Sequence, residues 1–462
     1  MTAQLSGGSR MRTVWRLSWP SIMEQLLATM VSYVDTAMVG ALGAAATAAV
    51  SVNAAPIWMC GGLLSGVGIG YSVQVSNAIG AGDDQRAREV VRQGVLAALV
   101  CGALFLLIYE GLSGYIPMWL GAKPEVLPQA AAYLRYYAAG MPWVAAGSIF
   151  SAVLRCMGNT RAPLLFNTLA NVLNIILNFF LIYETRTVPL WGLTLVIPGA
   201  GRGVAGAALA SALSWVFAGT ALLWVGTRQG RFRIHLRDGL RPDGAIIRMA
   251  VRLGLPSALE RATVNLGQIA MTALVASLGT VALAANQIAT TAEGLCYLPA
   301  YGISYAAIAL VGQSVGARSR EDAAAFGTLA ARTALALCSV MAVLLFLFAP
   351  ALSSLFNSDP AVVDEAARML RIVCFAEPLF ALSIVYSGTL RGAHDVHFPM
   401  VCSLVCMWGL RIPLAPLLVR KAGLGLSAVW IAMSADLILR GILCTVRWHS
   451  GRWTRMCGLE EP

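Results

Sequence analysis

The sequence predicts an all-α, polytopic membrane protein of twelve transmembrane helices, built as two six-helix repeats that form two lobes around a central cleft. Three observations carry that prediction: an apolar composition, arginine-marked loops that fall on one side, and an internal repeat with a constant, gap-free offset. Of 462 residues, 58% are hydrophobic and 12% charged, with a mean hydropathy of +0.72. Soluble domains run at about 25% charged, so this chain belongs in a bilayer. Twelve helices of about 20 residues, each crossing a ~30 Å hydrocarbon layer, account for the length and leave no room for a large soluble domain.

The formal charge of +11 does not point to nucleic acid, because the 33 basic residues sit in short connections between apolar runs. The ten cysteines are scattered through apolar stretches without a Cys-x-x-Cys pair, which indicates neither a disulfide framework nor a zinc site. Lys123 and Lys421 are the only lysines. That excludes a buried Schiff-base lysine and the lysine of a phosphate-binding loop, and with it ATP as the energy source. Arg10, Arg12 and Arg16 precede an apolar stretch that runs past Val39, too long for a cleaved signal peptide, so a retained first helix is expected.

Apolar windows between breakers place spans at 17–39, 44–77, 93–119, 130–153, 163–183 and 204–226. Six more fall at 249–277, 281–312, 325–355, 367–389, 399–419 and 425–447. Arginine marks the loops at Arg86, Arg88 and Arg92, at Arg155 and Arg161, and from Arg228 through Arg231, Arg233 and Arg237 to Arg241. It returns at Arg318 and Arg320, at Arg391 and in the tail from Arg447. With alternating spans these loops share one side, which the positive-inside rule makes cytoplasmic, with both termini inside. The organisation read from this is an N-lobe over 1–226, a basic cytoplasmic linker over 227–248, and a C-lobe with a short tail over 249–462.

The repeat supports the same division. An offset of 236 pairs Pro20-Ser21 with Pro256-Ser257, Glu24 with Glu260, Leu42-Gly43 with Leu278-Gly279, Gly80-Ala81 with Gly316-Ala317, and Leu154-Arg155 with Leu390-Arg391. About 18 identities fall in roughly 67 gap-free positions between 16 and 82. Six spans per half is an even number, so the repeats are parallel, a construction that places a transport site between lobes near the midplane.

Polar residues inside such spans demand a reason, since a carboxylate at the bilayer centre costs at least ~2.5–3.5 kcal/mol. Asp35 lies in the first span, with Glu24 three turns earlier. Asparagines at 167, 171, 174 and 178 follow steps of four, three and four, one stripe of a helix. Asp35 with Asn174 and Asn178 would offer hard oxygen ligands suited to Na+ or a hydrated proton. In the second half, Glu260 is either a cation or substrate ligand or an ion-pair partner of the neighbouring Arg261 and Arg252. Glu293, between Thr291 and Tyr297, is the stronger candidate for cavity exposure, and Arg411, Asp436 and Arg440 are expected to pair with one another. Gly62, Gly66 and Gly70 read as a close-packing device. Asp83-Asp84 reads as a helix cap, and His394-x-x-His397 lacks a third ligand for metal. Trp58, Tyr71, Trp143, Tyr297, Tyr301 and Trp408 are suited to lining a cation-binding cavity or an interface belt.

The run from Trp19-Pro20-Ser21 through Val34-Asp35-Thr36-Ala37-Met38-Val39-Gly40, Gly80-Ala81-Gly82, Leu154-Arg155-x-x-Gly158 and Asn174-Ile175-Ile176-Leu177-Asn178 resembles the multidrug and toxic compound extrusion (MATE) family over essentially the whole chain. Gly254-Leu255-Pro256-Ser257, Ala285-Asn286-Gln287 and Val311-Gly312-Gln313 resemble its DinF-like bacterial branch. The resemblance implies two six-helix lobes and cation-coupled antiport of organic compounds. It places the family's first-helix aspartate on Asp35, the fifth-helix partners on Asn174 and Asn178, and a sixth-helix hydroxyl on Ser211. Two departures follow. Asn178 stands where some DinF-like members carry an aspartate, so a two-aspartate switch is not expected. Val264 stands where NorM-like members carry a seventh-helix glutamate, which argues against a NorM-type C-lobe cation site.

The sequence therefore predicts a non-enzymatic H+ or Na+ antiporter, without cofactor or bound metal, that exports cationic or amphipathic organic solutes across the bacterial cytoplasmic membrane as a monomer. Asp35, Asn174, Asn178 and Ser211 form the coupling set; Glu24, Asn171, Glu260, Glu293, Tyr297 and Tyr301 are candidates for substrate or a second cation. A flippase for lipid-linked oligosaccharide is the alternative transporter, which would be expected to line its cavity with several arginines, and the few arginines read within spans speak against it. An integral-membrane transferase is less favoured, because the four histidines lie in loops or the tail.

Overall fold

The computed structural model describes residues 7–190, 193–228, 230, 233–234, 239 and 241–459. Arg231 and Arg237 of the basic linker lie outside them. The first repeat holds α1 (Gly7–Gly40), α2 (Ala44–Gly80), α3 (Asp84–Leu112), a short α4 (Tyr115–Trp119), α5 (Leu127–Ala138), α6 (Met141–Cys156), α7 (Arg161–Leu181) and, after a hairpin, α8 (Gly203–Arg228). The second holds α9 (Gly244–Ala276), α10 (Thr280–Gly316), α11 (Arg320–Ser354), α12 (Pro360–Val373), α13 (Glu377–Gly392), α14 (His397–Leu404), a π-helical segment (Val405–Arg411), α15 (Ile412–Ala422), α16 (Leu426–His449) and α17 (Trp453–Met456).

Eight helical passes are long and apolar enough to cross a membrane, and the pairs α5/α6 and α12/α13, bent by 53° and 58°, add two. The bends fall at Pro142 and Pro378, one in each repeat, each at the start of the second segment. There a proline cannot continue the preceding hydrogen-bond ladder. The remaining two, α1 and α9, have 34 and 33 residues, and at 1.5 Å per residue both exceed ~30 Å. They fall below the other spans in apolarity because they carry Glu24 and Asp35, and Glu260 and Arg261. The described residues thus make twelve passes in two six-helix lobes.

Local chemistry repeats as well. Gly43 (φ 105°) and Gly279 (φ 109°) open α2 and α10 in a conformation closed to residues with a Cβ. Asp83 caps α3 by accepting from the Arg86 amide at 2.8 Å, and Ser319, its counterpart in the repeat, caps α11 by accepting from the Asp322 amide at 3.2 Å. At the start of α9 the Asp243 carboxylate accepts from the Ile246 and Ala245 amides, which hold it below the usual carboxylate range.

The structure corrects three readings. The span placed at 93–119 begins at the Asp83 cap and breaks at Ser113-Gly114, leaving α4 separate. The connection 184–202 is an antiparallel hairpin of β1 (Glu184–Leu190) and β2 (Leu193–Ala200), rich in β-branched residues that suit a strand. Arg155, buried, and Arg391, partly buried, are not loop markers but ion-paired side chains within helices.

The lobes meet along α1, α2, α9 and α10. A Cβ added at Gly66 would lie 2.7 Å from the Gly254 carbonyl oxygen and the Ala258 methyl, and Gly70 packs on the Ala250 carbonyl. These contacts obey the repeat: Gly80 rests on Gln313 as Gly316 rests on Asn77, and Gly66 on Ala258 as Gly302 on Ile22. They concentrate toward the face bearing the arginine-rich connections, where the Asn77 amide also meets the His394 ring.

Candidate functional site

Four polar side chains from three N-lobe helices form one chain. The Asn178 amide nitrogen donates to the Asp35 carboxylate and, at 3.2 Å, to the Asn174 carbonyl oxygen; the Asn174 amide donates to the Ser211 hydroxyl at 3.2 Å. Helical periodicity explains how: Asn174 and Asn178 are one turn apart on α7, and α7 packs against both α1 and α8. Asp35, Asn171, Asn174 and Ser211 line a cavity of about 320 Å³. Asn178 is fully buried behind it, and its Oδ1 has no hydrogen-bond partner. A carboxylate beside an orphaned amide oxygen offers hard acceptors of the kind a cation binds.

The asparagine stripe divides between two sites. Asn167 donates to Glu24 Oε1 at 2.6 Å, and Arg155 donates to the same oxygen at 2.6 Å while its guanidinium lies 4.5 Å from the Tyr305 ring centroid. In the C-lobe, Arg391 donates to Glu260 Oε2 at 2.8 Å and Ser403 to Oε1 at 3.1 Å. The repeat superimposes Glu24 on Glu260, Arg155 on Arg391 and Asn167 on Ser403, so it conserves a buried ion pair with a polar third partner. Glu260 is thus paired with Arg391, not with Arg261 or Arg252. The repeat alignment pairs Arg155 with Arg391, but reading both as loop markers hid their role as ion-pair partners.

On the N-lobe side of the cleft lies a central cavity of about 530 Å³, its wall chiefly N-lobe, including Glu24, Trp58 and Arg155, and closed by Arg261, Asn265, Tyr305 and Ile308 of the C-lobe. Beside it a niche of about 110 Å³ is walled by Glu260, Arg261, Gln268, Arg391, Arg411 and Arg440, with Tyr301 at its edge. Tyr297 lines neither; it packs edge-to-face on Tyr301 and Phe380 at 5.9 and 5.4 Å. Of the aromatic set, Trp58 and Tyr301 reach a cavity, whereas Tyr71 is core.

Glu293, expected to face a cavity, is buried and lines none of those described. It sits beside Glu377, a residue sequence reasoning missed, which is fully buried with both carboxyl oxygens unpartnered. Its sequence signal is the Glu-Pro step where the first repeat has Met141-Pro142. Asp436 is held by Arg440 through two bonds of 2.8 and 2.6 Å, with Arg411 at 3.9 Å. The expected pairing of these three is present.

The sequence profile of the MatE family matches residues 20–180 and 256–417, one segment per repeat. The chain is 28% identical over 449 residues to a probable multidrug resistance protein NorM of Thermotoga maritima, covering 96% of this chain and 94% of that protein. It is 28% identical over 447 residues to the multidrug resistance protein MdtK of Yersinia pseudotuberculosis, covering 94% of each. A crystal structure of MATE in complex with MaL6 superposes with a TM-score of 0.89 at 23% identity, over 97% of both chains, and so shares the fold. Matched in both repeats and along nearly its whole length, the chain belongs to the MATE family of membrane transporters.

Proposed function

We propose that this protein is an antiporter that couples inward movement of H+ or Na+ to export of amphipathic organic compounds across the bacterial cytoplasmic membrane. The observation that carries the reading is the Asp35–Asn178–Asn174–Ser211 chain, of which Asp35, Asn174 and Ser211 line a cavity against a larger one. The Asp35 carboxylate and Asn178 Oδ1 fit a coupling ion, because both are acceptors withdrawn from bulk water. In this reading the arginine-rich face is cytoplasmic, both termini are inside, and the monomer works without a cofactor. Relatives named as multidrug resistance proteins support the direction of transport.

The buried arginines lend some weight to a flippase. The central cavity of about 530 Å³ nevertheless suits a drug-sized solute better than a lipid-linked oligosaccharide.

The test is efflux of a fluorescent organic solute from proteoliposomes under a pH gradient or a Na+ gradient, imposed separately. One gradient is expected to drive uphill movement; passive equilibration under both would overturn antiport.

Asn178→Ala should weaken the ion dependence of efflux by tenfold or more, since a hydrogen bond to a charged group is worth about 1.5–3 kcal/mol. Asn167→Ala, acting on the Glu24 pair, should leave the ion concentration for half-maximal efflux unchanged and lower the unfolding temperature. Equal shifts in ion dependence at both positions would reduce the stripe to packing.

A further inference from the structure

Three of the four arginines of the C-lobe niche are not inherited from the repeat. The N-lobe counterparts of Arg261 and Arg411 are Gln25 and Ile175; α16 pairs with α8 at a shorter offset, because the β1–β2 hairpin is present only in the first half, and α8 holds no arginine before Arg228 at its end, so only Arg391 has an arginine counterpart, Arg155. Three guanidinium groups thus stand in one lobe with no arginine counterpart in the other, and within a membrane-spanning bundle each is costly and marks function by default. Two carboxylates answer the four arginines at this wall. Glu260 is taken by Arg391 and Asp436 by Arg440, with Arg411 at 3.9 Å from Asp436 and bonded to Gln268 Oε1 at 3.1 Å. Glu293 acts on Arg411 from elsewhere in the lobe but does not line the niche.

Arg261 remains. Among the described residues no carboxylate lies within 4 Å of it, and its guanidinium sits 5.2 Å from the Tyr301 ring centroid. It lines both the niche and the central cavity, and Gly62 on α2 lets its side chain pass between the lobes, since a Cβ there would stand 3.1 Å from Arg261 Cβ. Across the cleft the N-lobe cavity carries an unpaired charge of the opposite sign, Asp35, while Glu24 on its wall is neutralised by Arg155.

The volumes assign the parts of a ligand. The niche, about 110 Å³, has room for a few waters at about 30 Å³ each or one compact acidic group, whereas about 530 Å³ accommodates an organic body. A guanidinium without a carboxylate partner in a low-dielectric wall binds carboxylate through paired charge-assisted hydrogen bonds. Resting on the reading of the protein as an exporter, we propose that Arg261, with Arg411 across the niche, is the receptor for the carboxylate of an amphipathic, zwitterionic cargo whose aromatic body fills the central cavity.

The experiment compares rhodamine B, a zwitterion with a free carboxylate, with its ethyl ester, which keeps the cationic ring system and lacks the anion. Binding to full-length protein is read by fluorescence polarisation in neutral detergent. Wild type should bind the acid at least tenfold tighter than the ester. Arg261→Gln should bring that ratio near one, and Arg261→Lys should restore part of it, with melting temperature confirming that each variant folds. Equal wild-type affinity for acid and ester, or a ratio that Arg261→Gln leaves intact, would overturn the proposal. Displacement of rhodamine B by phosphatidylglycerol but not by benzoate would assign the niche to a lipid phosphate and overturn it equally. Gradient-driven efflux of the ester separates the two readings: an exported ester without acid preference defeats this inference alone, while no export of either dye under any gradient defeats the transporter reading.

Discussion

Asp35→Asn should abolish gradient-driven accumulation while leaving the protein folded. The substitution keeps the side chain's shape, so the partnership with Asn178 on α7 survives as an amide-to-amide bond. What is lost is the negative charge that selects a cation and the group that a proton can neutralise. Each elementary charge moving inward through 100 mV supplies about 2.3 kcal/mol, or about fiftyfold accumulation of an exchanged solute. That factor should fall to one in proteoliposomes holding an imposed potential and ion gradient, with melting temperature near that of wild type. Wild-type accumulation by the Asn variant would remove Asp35 from the coupling step.

The largest loss of stability is expected at Asp436→Asn. Asp436 is fully buried, and its two oxygens hold Arg440 and stand 3.9 Å from Arg411. Removing the carboxylate charge leaves two guanidinium groups in the lobe with no full counter-charge at that point, a change worth about 3–5 kcal/mol when one partner of a buried pair is deleted. The variant should show a markedly lower unfolding temperature in detergent. Asp436→Met combined with Arg440→Leu should recover much of it, because removing both partners takes the desolvation penalty away with the attraction. An unchanged unfolding temperature for Asp436→Asn would mean that water or rearranged side chains already screen the network.

The residues proposed for coupling were legible in the sequence for a geometric reason. Asn174 and Asn178 stand at a helical spacing that forces them onto one face, and Asp35 is conspicuous because a carboxylate in an apolar span is costly. The partner of Glu24 was not legible in the same way. Arg155 stands at the end of α6, far along the chain from Glu24 on α1, and no local periodicity connects the two. Glu377 escaped notice because it sits at a proline break, where a polar residue reads as the edge of a span. The hairpin after α7 escaped for the opposite reason, since an alternating β-branched run between membrane helices is too short to outweigh the reading as a connection.

The sequence by itself determined the membrane environment, the twelve passes and their pairing at a constant offset as far as α7; beyond it the β1–β2 hairpin, present only in the first half, shortens the offset between α8 and α16. These follow from hydropathy, helix length and breaker positions, which are properties of neighbouring residues and of composition. The tertiary structure alone decided which buried charges neutralise each other and which do not. Asp35 and Asn178, Glu24 and Arg155, and Glu260 and Arg391 are joined by helix packing over separations of 143, 131 and 131 residues. Arg261, beside Glu260 in the chain, is left without an ion-pair partner because that carboxylate faces Arg391. In a low-dielectric bundle a difference of a few ångströms separates a neutralised charge from a binding group, and that distance is set by how the helices pack.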